Sequence, residues 1–128
     1  MQEQLLYEYA VIRVVPRVER EEFVNAGIIL FCKKTGYIGC RIFLNEQKLR
    51  CFDEKTDVET VQKNLRAFEL IAAGDELSGS PIARLDAPSR FRWLTATRST
   101  VIQCSKVHPG LTGCLEKSLD KLMQEIVF

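Results

Sequence analysis

The sequence predicts an α+β fold: a mainly antiparallel sheet of about four strands with two main helices packed on one face. Three observations carry this. Three β-branched and aromatic runs crowd the first third of the chain, and a short glycine-bearing turn separates the second from the third, as in a hairpin. Two amphipathic stretches with helical spacing follow, one near the middle and one at the C-terminal end. Runs of strands followed by helices, without strict β–α alternation, favour a sheet with helices laid against it.

The first strand spans Tyr7 to Val15, a nearly continuous apolar run closed by Pro16. Such continuity marks a central strand covered on both faces. Gly27 to Cys32 is the second strand. Lys33-Lys34-Thr35-Gly36 supplies the turn, with Gly36 suited to a left-handed backbone, and Tyr37 to Leu44 is the third strand. Cys32 and Cys40 are expected near each other across this hairpin. Asn45 to Lys55 is mixed and polar and reads as irregular.

Thr56-Asp57-Val58-Glu59 has the form of a capping box opened by Thr56. Val58, Val61, Leu65, Phe68 and Ala72 follow at helical spacing, and Gly74 is a natural stop. Asp75 to Pro88, with its glycines, prolines and serines, is a loop or lid candidate. Asp86 is placed to cap a short helix with Pro88 in its first turn. Thr100 to Ser105 is a fourth strand and His108-Pro109-Gly110 a turn. Leu115, Leu119, Leu122 and Ile126 mark the C-terminal helix.

With 128 residues, 46% of them hydrophobic and 27% charged, the chain fits one globular domain, residues 1–128. The formal net charge is +1, unlike the strongly basic balance of a dedicated nucleic-acid binder. No apolar run reaches the ~20 residues of a membrane span, and no secretory signal opens the chain. Five cysteines without a C-x-x-C pair indicate neither a disulfide framework nor a zinc site, so no metal and no cofactor is expected and a reducing cytoplasm is the expected compartment.

The candidate functional residues lie in two polar segments. In the first, Arg13 ends a buried strand and needs a partner, because an unpaired buried charge is costly. Glu21 or Glu22 could supply it as a structural pair; otherwise Arg13 is an anion clamp. Asn25 suits a turn or bulge beside Gly27, or a ligand contact. In the second segment, four arginines stand between Arg84 and Arg98 against the single carboxylate of Asp86. Arg90, Arg92, Arg98 and Ser99 together have the chemistry of a phosphate or carboxylate site, or of an ordinary charged surface. Trp93 reads as core beside Phe91 and Leu94. His108, the sole histidine, reads first as a turn residue and second as an acid–base group. No glycine-rich phosphate loop, H-E-x-x-H or G-x-S-x-G motif occurs.

Tyr9 to Pro16 with Glu22 to Cys32, followed by Phe91-Arg92-Trp93-Leu94, Arg98 to Gln103 with Ser105, and His108-Pro109-Gly110-Leu111, resembles the bacterial domain-of-unknown-function family numbered 3037 over almost the whole chain. The family tends to have Val where Ala26 stands and Pro where Thr97 and Lys106 stand. The resemblance implies a small bacterial cytoplasmic protein of unassigned activity, whose genes often neighbour those of HipA-like kinases. The first functional expectation is therefore a non-enzymatic accessory domain that binds a protein partner, such as a HipA-like kinase, through the two polar segments. The second is a protein or enzyme acting on a phosphate-bearing small molecule or nucleic acid, with Arg13, Arg90 and Arg98 converging on the anion and Ser99 or His108 assisting. The third is a self-associating subunit, suggested by the apolar Ile126-Val127-Phe128.

Overall fold

A computed structural model of the chain describes residues 3–98 and 100–128. The fold is α+β, built on an antiparallel sheet. Strands β1 (Leu5–Val14), β2 (Val24–Cys32) and β3 (Tyr37–Ile42) form a meander, and Gly36 in the β2–β3 turn has φ +74°. The central β1 pairs with β2 on one side and with both β4 (Ile102–Cys104) and β5 (His108–Thr112) on the other. The expected first strand is thus central, and four strands run in the order β3-β2-β1-β4 with β5 continuing the β4 edge.

Helix α1 (Glu46–Phe52) occupies the stretch expected to be irregular. The Asn45 side chain accepts the Lys48 amide, and Leu49 is fully buried, so one cap and one anchor hold seven residues that propensity alone would not. Helix α2 (Val58–Ala72) buries the expected Val58, Val61, Leu65, Phe68 and Ala72, and Ile71 besides. Its cap is Asp57, one residue later than expected: Asp57 accepts both the amide and the hydroxyl of Thr60, while the Thr56 hydroxyl donates to the Asp53 carbonyl. Two 3₁₀ turns, Glu76–Ser78 and Pro81–Arg84, lead to α3 (Ala87–Thr95), where Asp86 caps through the Ser89 amide as its position predicts. Helix α4 (Leu115–Leu122) runs into a wider π-helical turn over Met123–Val127.

The helices are divided between the two faces of the sheet rather than sharing one. Ala10, Ile12, Val14, Ile29 and Phe31 meet Leu49, α2 and α3 on one side. Val11, Ile28 and Leu30 meet Leu119, Leu122, Met123 and Val127 on the other. Because side chains alternate along a strand, a continuous apolar strand requires cover on both faces, and α4 supplies the second layer. The same alternation separates the hairpin cysteines. Cys40 stands opposite Ile29 and Cys32 opposite Tyr37, so they point to opposite faces.

One irregularity positions the candidate site. Ile12 pairs with Gly27 but Arg13 pairs with Asn25, leaving Ala26 as the extra residue of a β-bulge. The bulge keeps Ala26 and Val24 in the α2 core and turns Asn25 toward α4.

Candidate functional site

Asn25, Arg13 and Gln103 form a cross-strand row on β2, β1 and β4. Directly opposed residues share a face, so the bulge and the β1–β4 register bring the two polar segments side by side. The Asn25 amide donates to the Ile126 carbonyl at 3.3 Å, tying β2 to the last turn of the C-terminal helix. Asn25 Oδ1 and Arg13 Nε are buried without a hydrogen-bond partner among the described residues. One acceptor and one donor thus stand unsatisfied on neighbouring strands, where each buried orphan costs about 1–3 kcal/mol.

Arg13 does not pair with Glu21 or Glu22. Its guanidinium lies 4.0 Å from the centre of the Phe23 ring, an arrangement worth roughly 0.5–2 kcal/mol. A 3₁₀ turn at Val18–Arg20 takes the acidic side chains away: Glu22 binds Arg20 at 2.5 Å, and Glu21, in a left-handed conformation at φ 56°, is exposed. Next to the row is a cleft of about 350 Å³ lined by Phe23, Asn25, Lys48, Cys51, Phe52 and Ile126, with Val24 and Val127. Phe23 and Phe52 are 41% and 38% exposed, and Phe43 packs on Phe128 with ring centres 5.0 Å apart. Sequence reasoning missed these phenylalanines, because isolated aromatics carry no periodic signal; the nearest clue was Phe52 at the end of a polar stretch.

The arginines of the second segment diverge. Arg90 donates to the Leu85 carbonyl at 2.7 Å, with its Nε buried and unpartnered among the described residues. Arg92 is exposed. Arg98 stacks 3.9 Å above the Trp93 ring and donates to the Trp93 carbonyl. Trp93 is therefore a stacking platform rather than core, and both residues line a second cleft, between α2 and β4. Neither of the two clefts is lined by more than one of Arg13, Arg90 and Arg98. Ser99 lies outside the described residues.

His108 opens β5 instead of making a turn, and its ring packs 5.5 Å from that of Tyr9, its cross-strand partner. Ser105 is buried in the gap between β4 and β5. Burial pushes the Cys104 thiol up to about 12, against the opposing positive charges of Arg98 and Arg13, and raises the Cys40 thiol still further. Neither has the depressed pKa of a reactive thiolate.

The fold and site describe an α+β domain with a polar cross-strand row and two clefts. The chain belongs to the family described as "Protein of unknown function (DUF3037)", which matches residues 9–127. No curated protein and no solved structure matches it. No helix among the described residues is long and apolar enough to cross a membrane.

Proposed function

We propose that the chain is a non-enzymatic accessory domain that docks a protein partner through the surface around Phe23 and Phe52. The observation that carries this reading is the grouping of half-exposed phenylalanines about one cleft, beside the Arg13 guanidinium and Lys48. Apolar aromatic anchors with a basic rim are the composition of a binding hot spot. An exposed aromatic patch on a soluble domain generally marks an interaction surface. The partner that fits presents apolar side chains flanked by carboxylates.

The choice of partner class rests on the resemblance read in the sequence, which implies genes beside those of HipA-like kinases, and a HipA-like kinase in the cytoplasm is the partner we propose.

Co-expression with a HipA-like kinase from the same organism, followed by size-exclusion chromatography, tests the reading. The wild type should co-elute with the kinase, and Phe52→Glu should abolish co-elution while Arg92→Ala leaves it intact. A folded wild type that elutes alone would remove the kinase. A complex indifferent to Phe52→Glu would remove the face. A dimer of this chain lost on Phe52→Glu would replace the kinase by a second copy.

A further inference from the structure

The cleft between α2 and β4 is chemically unlike the docking surface. It has a volume of about 400 Å³, and its lining is mostly apolar, with Phe68, Ile71, Leu94 and Ile102 prominent and Asn64, Thr100 and Gln103 as uncharged polar groups. Among the described residues, no carboxylate lines it and Arg98 is the only charged residue that does. Arg98 is held over the Trp93 ring by the cation–π contact and by its bond to the Trp93 carbonyl. It forms no ion pair with an acidic side chain among the described residues. A guanidinium offers five N–H donors in a rigid fork. One is occupied by the Trp93 carbonyl, so most of the fork remains available.

An apolar cleft of this size with one fixed cation at its edge matches the general design of small-molecule sites. We infer that this cleft binds a small amphipathic anion: an aromatic or aliphatic body seated on Phe68 and Ile71, and a single carboxylate, sulfonate or phosphate held by Arg98. A protein surface would not be selected here, because the cleft is separate from the phenylalanine patch and offers one point charge rather than a rim. The site is independent of the partner-docking reading. Nucleotides fit poorly, since several phosphates would face one arginine.

Trp93 is the only tryptophan in the chain and lines this cleft, so it is the single tryptophan donor, and the variants below localise the bound probe. The probe is anilinonaphthalene sulfonate, with the uncharged N-phenylnaphthylamine as its neutral counterpart, titrated against the full chain with energy transfer from Trp93 as the signal. The expected result is saturable one-to-one binding of the sulfonate, weakened about tenfold to a hundredfold by Arg98→Leu, the range of a charged hydrogen bond. The neutral probe should be affected less than about twofold by the same change. Ala67→Leu, which fills the cleft, should weaken both probes, and Phe52→Glu neither. Arg98→Gln serves in place of Arg98→Leu if circular dichroism shows the latter misfolded. No saturable binding, sulfonate binding unchanged by loss of the Arg98 charge, or binding unchanged by Ala67→Leu would each overturn the inference.

Discussion

Ser105 and Val11 exchange two hydrogen bonds across the break in the sheet edge: the Ser105 hydroxyl accepts the Val11 amide at 2.8 Å, and the Ser105 amide donates to the Val11 carbonyl at 2.9 Å. β4 ends at Cys104 and β5 begins at His108, so without this side chain the central strand would carry an unpaired, buried N–H at the join. Ser105→Ala is expected to cost about 1–3 kcal/mol, the penalty for orphaning a buried amide. Urea denaturation with an unchanged m-value would establish it; a loss below ~0.5 kcal/mol would mean that the amide finds another acceptor.

Gly27 permits β2 and β3 to approach. A Cβ there would fall inside contact distance of the Arg41 backbone oxygen and 2.9 Å from the Ile42 side chain. Backbone cannot swing aside as a side chain can, so Gly27→Ala should destabilise by about 1–3 kcal/mol or more. Thermal melting of the variant checks this, and a stability equal to the wild type would show that the hairpin can spread at no cost.

Two helix caps contribute to the acid response. Asp57 is held below the ordinary carboxylate range chiefly by the Thr60 hydroxyl, then by the Thr60 amide; Asp86 is held low by hydrogen bonds from Ser89. A depressed folded pKa stabilises the fold above the ordinary carboxylate value, and that stability is lost as pH falls through the folded value. Asp57→Asn keeps an acceptor but cannot titrate. Its melting temperature should therefore fall less than that of the wild type between about pH 5 and pH 2, and parallel curves would exclude the cap as the titrating element.

Arg13 is retained although its Nε goes unpaired. Arg13→Met preserves the packing on Phe23 without the charge, so stability should change by less than about 1 kcal/mol, or rise. If the docking surface is as proposed, the same variant should weaken partner association by several-fold. A large loss of stability would instead make Arg13 a structural residue.

The thiols should fall into separate kinetic classes. Cys51 and Cys114 are exposed, Cys32 is buried, and burial raises the pKa values of Cys40 and Cys104. Alkylation at neutral pH is expected to label Cys51 and Cys114 first, and the others at rates set by opening of the fold. Because Cys51 lines the phenylalanine cleft, a docked partner should protect it and leave Cys114 reactive. Equal protection of both would place the partner elsewhere.

Local signals in the sequence were sufficient for the strand meander, the Gly36 turn, the buried stripe of α2, the Asp86 cap and the amphipathic C-terminal helix. Each depends on contacts within a few residues or on a repeating apolar pattern. Helix α1 escaped because its stability comes from burying Leu49, a tertiary event. The β5 strand escaped because Pro109 and Gly110 are turn residues by propensity, and only pairing with β1 holds them extended. The pairing expected for Arg13 failed because a 3₁₀ turn directed Glu22 to Arg20 and left Phe23 as the nearer partner.

The sequence by itself determined the elements other than α1 and β5, the central place of β1 and the family, since these rest on composition, periodicity and local motif. Only the tertiary structure decided which polar residues meet. The Ala26 bulge inverts the facing of Asn25, the β1–β4 register sets Gln103 beside Arg13, and the chain's exit from α3 folds Arg98 back onto Trp93. A one-residue shift in the bulge or in the β1–β4 register would send the same side chains to the opposite face, because a strand alternates with a period of two.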